Sequence, residues 1–230
     1  MTTPVLAAWG VHLYTASGAV LGFLALEATA RGNYGAAFAW LTLATFIDAT
    51  DGTLARRARV KQVLPQFDGA RLDDIVDYLN YVVVPVVLAY HAALLPSGPA
   101  GLAVCALPLL ASGYGFCQLD AKTEDHFFKG FPSYWNVVVF YFYTLGTARW
   151  FNVAALVIFS VLVFVPIGYL YPSKNPTAQR TTYVLGLVWA LCFMVLLAQF
   201  PHPSRRLAQL SMFFPVYYMA MSFHLHFRRR

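Results

Sequence analysis

Six of the ten acidic residues lie between positions 48 and 77, in a chain of which only 11% of the residues are charged. Asp48 and Asp51 are three residues apart, and Asp73 and Asp77 are four apart. Because residues at these spacings share one face of a helix, each pair would present its carboxylates together. Ionised groups in apolar surroundings are costly unless they are paired or bound to metal. The spacing therefore predicts a carboxylate cluster that binds a hard divalent cation such as Mg²⁺ or Mn²⁺.

Two glycines accompany the acidic pairs. Gly52 follows the first pair, and Gly69 lies one helical turn before Asp73. A glycine leaves room for a substrate group or for close approach of a neighbouring helix. Asp68 is predicted to cap the N-terminus of the helix that begins at Gly69. Asp74 lies about 100° around that helix from Asp73, so it is excluded from the cluster.

The elements that position these acids belong to an integral membrane protein. Of the 230 residues, 59% are hydrophobic, and the mean hydropathy is +0.58. A helix needs about 20 apolar residues to cross a bilayer, and eight stretches meet or approach that length. These are Val5–Ala28, Tyr34–Asp51, Asp68–Leu95, Pro99–Gln118, Tyr134–Thr147, Asn152–Tyr171, Thr182–Phe200 and Leu207–Phe227. We therefore predict one all-α, polytopic transmembrane domain over residues 1–230, with no soluble domain.

The lysines and arginines predict its orientation. With a cytoplasmic N-terminus, twelve of the sixteen basic residues fall in cytoplasmic segments. The four exceptions are Arg31, Arg149, Arg205 and Arg206. Both termini and the acidic cluster are then predicted to be cytoplasmic. Between the second and third spans, residues 56–61 are predicted to form a short basic amphipathic helix along the membrane surface.

Two other interpretations of the acids are open. An ion-pair network with Arg56, Arg57, Arg59 and Lys61 would stabilise them without metal, but it does not explain the one-face spacing and the paired glycines. A transporter or proton relay would also use intramembrane carboxylates. It would place ionisable groups or broken helices near mid-membrane in several spans, whereas apart from Glu27 the acids here cluster at one face.

At these positions the sequence resembles the CDP-alcohol phosphotransferase family, whose signature is D-x-x-D-G-x-x-A-R followed by G-x-x-x-D-x-x-x-D. The matching residues are Asp48, Asp51, Gly52, Ala55, Arg56, Gly69, Asp73 and Asp77. Most members have eight residues between the arginine and the second glycine, whereas this chain has twelve, at 57–68. The longer linker, the stretch 127–136 and the eight-span layout resemble the bacterial branch of the family that makes phosphatidylcholine.

The resemblance implies a bacterial inner-membrane enzyme that joins CDP-diacylglycerol to choline and releases CMP and phosphatidylcholine. Two divalent cations, Mn²⁺ or Mg²⁺, would be held by four aspartates: Asp48, Asp51, Asp73 and Asp77. Asp77 would also take the proton of the choline hydroxyl. CDP-diacylglycerol would contact Gly52, Ala55, Arg56 and Gly69. Membrane lipids are expected partners and nucleic acid is not, while the sequence leaves open whether the protein is a monomer or a homodimer.

Choline carries a permanent cation that cannot donate a hydrogen bond, so aromatic faces are its usual receptor. The aromatic candidates are Tyr78, Tyr81, Tyr114, Tyr134, Trp135, Tyr141 and Tyr143. Tyr81 shares the helix face of Asp77, and Tyr134 and Trp135 begin the fifth span. The polar candidates are Asn136, Lys129 and His12.

Other acceptor alcohols remain alternatives: serine, inositol phosphate and glycerol phosphate. Their carboxylate or phosphate groups would need additional cationic side chains in the site. The stretch 130–149 contains several aromatic residues and no lysine, arginine or acid in its interior. This composition favours choline.

Overall fold

The structure, a computed structural model, describes residues 3–120, 127–170 and 179–228, and these are mostly helical. The helices of these ranges are α1 (Thr3–Ala30), α2 (Tyr34–Arg57), α3 (Val60–Val63), α4 (Gly69–Asp77), α5 (Val84–His91), α6 (Pro99–Phe116), α7 (Trp135–Leu145), α8 (Arg149–Phe164), α9 (Gln179–Ala198), α10 (Arg205–Ser211) and α11 (Phe213–Arg228). A π-helical segment, Tyr78–Val83, joins α4 to α5. Two short strands, β1 (Phe127–Lys129) and β2 (Gly168–Leu170), form an antiparallel ribbon.

Three helices of the described residues are long and apolar enough to cross a membrane: α1, α6 and α9. Helices α7 and α8 are apolar but shorter. The third predicted span, which carries the second acidic pair, is divided into α4 and α5 by the π-helical segment. The last predicted span is divided into α10 and α11 at Met212. Each of the eight predicted spans overlaps one or more of these helices. The number that cross the bilayer remains a prediction.

The prediction of an all-α fold was wrong at the β ribbon. The sixth predicted span continued to Tyr171, which lies outside the described residues, but α8 ends at Phe164. Pro166 follows, and a residue that precedes proline is driven out of the helical region. Val165 accordingly has extended backbone, with φ −83° and ψ 123°. The chain then pairs with β1, where Lys129 lies opposite Gly168.

The second acidic pair is positioned by the long helix of the third predicted span, which we call the third helix. It covers residues 69–91 and consists of α4, the π-helical segment and α5. Asp68 caps its N-terminus as predicted, since its side chain accepts a hydrogen bond from the Arg71 amide at 3.1 Å. The wide π-helical turn ends at Val83, two residues before Pro85, which has no N–H to donate to the carbonyl four residues earlier. The turn therefore changes the rotation of the helix just after Asp77.

Helix α1 packs closely against both motif helices, α2 and α4. Two of its glycines make this approach possible. A Cβ added to Gly18 would lie 2.7 Å from Val76 Cγ1, and one added to Gly22 would lie 2.7 Å from Asn80 Oδ1. Asn80 secures the contact, because its Nδ2 donates to the Gly18 carbonyl at 3.0 Å. Any larger side chain at either glycine would push α1 away from the acidic helix.

The basic linker differs from the predicted surface helix over residues 56–61. Helix α2 continues to Arg57, so Arg56 lies in its last turn. The short helix α3 begins after Arg59, which has a left-handed backbone with φ 50°. Val60 and Leu64 are buried against Ala8 of α1. This part of the linker is thus folded onto α1.

Candidate active site

The C-terminal half of α2 and the N-terminal half of the third helix bring carboxylates together. Asp48, Asp73 and Asp77 each offer one oxygen, and these atoms all lie within 4.8 Å of one another. The three side chains are half-buried. Oxygen ligands lie 2.0 to 2.6 Å from a bound Mg²⁺ or Ca²⁺, so about 4 to 5 Å separates ligands on opposite sides of the ion. The three oxygens therefore fit one hard cation.

Asp51, the fourth predicted ligand, lies beside this group and is held from α1. Its Oδ2 accepts a hydrogen bond from Thr15 Oγ1 at 2.7 Å, and only 6% of the residue is exposed. Thr15 has no local signal in the sequence, because its importance comes only from the packing of α1 on α2. Asp74 lies on a different face of the third helix and lines neither of the two cavities described next.

Two cavities meet at the acidic residues. The small cavity, of about 10 Å³, is lined by both acidic pairs together with Asn80 and Tyr81. The large cavity, of about 870 Å³, lies between α1, the end of α2, the linker and the start of α4. Thr15, Asp51 and Asp73 line both. A molecule that fills the large cavity therefore reaches the carboxylates at its inner end.

The large cavity contains the remaining residues of the signature: Gly52, Ala55, Arg56 and Gly69. Arg59 and Lys61 also line it, so three basic side chains face three aspartates there, Asp51, Asp68 and Asp73, whereas the small cavity has carboxylates and no basic side chain in its lining. The Arg56 guanidinium donates to Thr53 Oγ1 at 2.9 Å and is exposed. A Cβ on Gly52 would lie 3.3 Å from Arg56 Nη1, which leaves little space for a larger side chain. This combination suits an anionic ligand.

Of the aromatic candidates, Tyr81 contacts an acid of the cluster and Tyr134 lies beside Tyr81. Tyr81 donates a hydrogen bond to Asp48 Oδ2 at 2.7 Å, and its ring centroid lies 6.2 Å from that of Tyr134. Tyr218 of α11 continues the series, with its ring 6.1 Å from Tyr134. Sequence reasoning missed Tyr218, because nothing in α11 indicates that it folds back beside the fifth predicted span.

The side chains of the adjacent residues Asn136 and Trp135 lie in different surroundings. Asn136 Nδ2 lies 3.3 Å from Thr45 Oγ1, one turn before Asp48 on α2. Trp135 is fully buried, and its Nε1 donates to Ser112 Oγ at 2.7 Å. Its ring packs between aromatic residues of the core, Phe131 and Phe159. The structure does not support Trp135 as a choline contact, because no face of its ring is accessible to a ligand.

The other candidates are placed elsewhere. Tyr78 donates a hydrogen bond to the Leu109 carbonyl, and Tyr141 lies in hydrogen-bond contact with Ser211. Tyr143 stacks on Phe200, and half of Tyr114 is exposed beside Phe164. Lys129 forms an ion pair with Asp120, with 2.6 Å between Nζ and Oδ2. The hydrogen bond and charge of Lys129 lower the pKa of the Asp120 carboxyl. His12 lies in the large cavity.

Curated proteins similar to this chain are named phosphatidylcholine synthase. The protein of Legionella pneumophila is 41% identical over 225 residues, which cover 95% of this chain and 88% of the relative. The protein of Pseudomonas aeruginosa is 39% identical over 84% of this chain and 81% of its own length, and that of Mesorhizobium japonicum is 36% identical over 86% and 74%. No family model matches the chain.

Proposed function

The chain belongs to the phosphatidylcholine synthase family, and we propose that it transfers the phosphatidyl group of CDP-diacylglycerol to choline. The observation that carries this proposal is the convergence of three carboxylate oxygens, within 4.8 Å, at the inner end of a cavity that also contains Arg56, Arg59 and Lys61. An acidic centre joined to a cavity with three basic side chains suits a reaction in which a nucleoside diphosphate is bound at one end and cleaved at the other.

In the proposed reaction the choline oxygen forms a bond to the phosphorus that carries diacylglycerol. The bond from that phosphorus to the CMP oxygen breaks, and CMP leaves with the electron pair. Asp77 is the proposed base for the choline hydroxyl proton, because it lies furthest along the third helix. Tyr81 is proposed to position Asp48 in the carboxylate cluster, since its hydroxyl donates a hydrogen bond to the Asp48 carboxylate.

Divalent cations, two in number and either Mn²⁺ or Mg²⁺, are proposed to bind Asp48, Asp73 and Asp77, with Asp51 as the fourth ligand. When bound, they would neutralise the diphosphate and stabilise the charge on the departing CMP. The carboxylates fit such ions because oxygen donors suit hard cations. Arg56 is proposed to bind the diphosphate through charge-assisted hydrogen bonds, and Gly52 and Gly69 leave room for the nucleotide.

Choline recognition is proposed to use the faces of Tyr81 and Tyr134, with Asn136 beside them. Tyr81 contacts the Asp48 carboxylate, where the acceptor hydroxyl has to arrive, and the Tyr134 ring lies 6.2 Å beyond the Tyr81 ring. An aromatic face attracts a quaternary ammonium group without requiring a hydrogen bond from it. Serine or a phosphorylated alcohol would require a cation at this position instead.

The proposed setting is the inner membrane of a bacterium, with eight spans and with both termini and the active site on the cytoplasmic side. Helices α1, α6 and α9 are long and apolar enough to span it. The excess of basic residues in the predicted cytoplasmic segments supports the orientation. Cysteine accessibility of single substitutions at Thr53 and at Asn33, opposite ends of α2, would test which side is cytoplasmic.

The acceptor is tested with purified protein, CDP-diacylglycerol, Mn²⁺ and a panel of labelled alcohols. We expect choline to be the best substrate, dimethylethanolamine poorer and ethanolamine poorer still, because each lost methyl group raises the desolvation cost of the cation. Tyr134→Leu should raise the KM for choline roughly tenfold, and Tyr134→Phe should raise it less. Tyr114→Leu, at an exposed ring remote from Asp48 in the fold, is the matched control. Preference for serine or glycerol 3-phosphate would show that the acceptor is not choline.

A further inference from the structure

His12 is a buried imidazole with an unsatisfied nitrogen at the wall of the large cavity. Only 6% of the residue is exposed, and its Nε2 has no hydrogen-bond partner among the described residues. A buried polar atom without a partner is unfavourable, because it has lost its hydrogen bonds to water. A bound ligand that supplies the missing partner would remove this cost.

The imidazole of His12 lies among aromatic side chains and a glycine, and its Nε2 is closed to solvent in this conformation, so the ring has to turn for a ligand in the cavity to reach that nitrogen. Its ring centroid lies 4.3 Å from that of Phe67 and 5.8 Å from that of Trp9. A Cβ on Gly69 would lie 2.6 Å from His12 Cε1, so the glycine of the second motif leaves the space that the imidazole occupies. His12, Phe67 and Gly69 all line the large cavity. The ring is therefore held against the cavity by contacts that do not use Nε2.

The position of His12 along α1 identifies the part of the ligand that it meets. His12 lies one helical turn before Thr15, whose hydroxyl binds Asp51 at the inner end of the cavity. One turn advances a helix by about 5 Å, so a group beside His12 is displaced from the carboxylates and from the reacting phosphorus. The acyl chains of the donor have no polar atom to offer Nε2. The nucleoside offers several, and its flat base suits a cavity wall that contains the Phe67 ring.

We propose that His12 binds the cytidine portion of the CDP-diacylglycerol donor, through a hydrogen bond between Nε2 and a polar atom of the base or ribose. The inference rests on the proposed function, because it requires a cytidine nucleotide in the large cavity. His12 is thereby a donor-binding residue on α1, outside the aspartate signature and separate from the choline contacts. The neighbouring Arg56 binds the charged diphosphate, and His12 binds the uncharged nucleoside.

The test measures equilibrium binding of CMP and of inorganic pyrophosphate to the purified full-length protein in Mn²⁺. His12→Phe keeps an aromatic ring but removes Nε2, so we expect CMP affinity to fall roughly tenfold while pyrophosphate affinity changes less than twofold. His12→Gln, which can still form a hydrogen bond, should retain more CMP affinity than His12→Phe. His91→Gln, at an exposed histidine of α5, is the matched control and should bind both ligands like the wild type.

Unchanged CMP binding in His12→Phe would overturn the proposal, and so would an equal loss of CMP and pyrophosphate. If His12→Phe does not fold, as judged by thermal unfolding and size-exclusion chromatography, His12→Leu is measured in its place. Failure of the acceptor assignment would leave the CMP result intact, because every acceptor alternative uses the same nucleotide. Failure of the wild-type protein to bind CMP would instead contradict the proposed function.

Discussion

The small and large cavities share three lining residues but differ in chemistry. The small cavity collects carboxylates, and hydrogen bonds from Tyr81 and Thr15 hold two of them. The large cavity adds three basic side chains, Arg56, Arg59 and Lys61, and its linker wall is folded onto α1 through Val60. Under the proposed function, the carboxylates of the small cavity would perform the transfer and the large cavity would bind the donor. Substitutions in the small cavity should therefore lower kcat, with a loss of donor binding as well where a metal ligand is removed, and substitutions at the basic residues of the large cavity should mainly raise KM for the donor.

Removal of divalent metal is the largest expected effect, because it acts on the whole small cavity. Carboxylates this close repel one another without cations, so a chelator should reduce activity to background, and added Mn²⁺ or Mg²⁺ should restore it. Phosphatidylcholine formation from labelled choline is the measurement. Full turnover in excess chelator would contradict the metal proposal and favour an ion-pair network among the acids and the basic linker.

Asp77→Asn should separate the base from the other carboxylates within the small cavity. Loss of a general base lowers kcat by about 10² to 10⁴-fold. We expect metal-dependent binding of CDP-diacylglycerol to be largely retained, whereas Asp48→Asn should weaken both binding and turnover. Asp74→Asn, which alters a neighbouring acid on another helix face, is the control and should have much less effect. Equal loss of donor binding in the Asp48 and Asp77 variants would show that Asp77 is only a metal ligand.

Arg56→Gln should give the smallest of these effects and the opposite kinetic signature. Since Arg56 lines the large cavity and is exposed, its loss should raise KM for CDP-diacylglycerol roughly tenfold and change kcat less. Arg57→Gln removes an adjacent exposed arginine that does not line the cavity, so it controls for the loss of surface charge. Steady-state kinetics with donor in mixed micelles would measure both constants. A fall in kcat without a rise in KM would remove the distinction between the two cavities.

The helices and the acidic pairs could be predicted because their signals are local. Apolar stretches of membrane-spanning length and the three-residue and four-residue spacing of the acids depend only on neighbouring positions. The N-cap at Asp68 is also local, since its partner is the Arg71 amide. Physical constraints that act over a few residues are readable from one sequence.

The rest of the site depends on contacts between distant parts of the chain. Thr15 meets Asp51 across 36 positions, and Tyr218 of the last helix reaches Tyr134 of the fifth predicted span. Trp135 looked like a site aromatic because it adjoins Tyr134, yet the start of α7 turns its ring into the core. The β ribbon was missed for the same reason, because each strand has only three residues and its partner is about forty positions away.

The close approach of α1 to the third helix, at Gly18 and Gly22, has a consequence for biogenesis. Chains are synthesised from the N-terminus, so α1 and α2 can pair before Asp73 and Asp77 have left the ribosome. At that stage only the first acidic pair of the cluster, Asp48 and Asp51, has been synthesised. Ionised groups in a lipid environment are costly. The carboxylate cluster is completed only when the third helix packs against α1 at the two glycines. A bulky residue at Gly22 would therefore yield a nascent protein that inserts into the membrane but never matures into an enzyme.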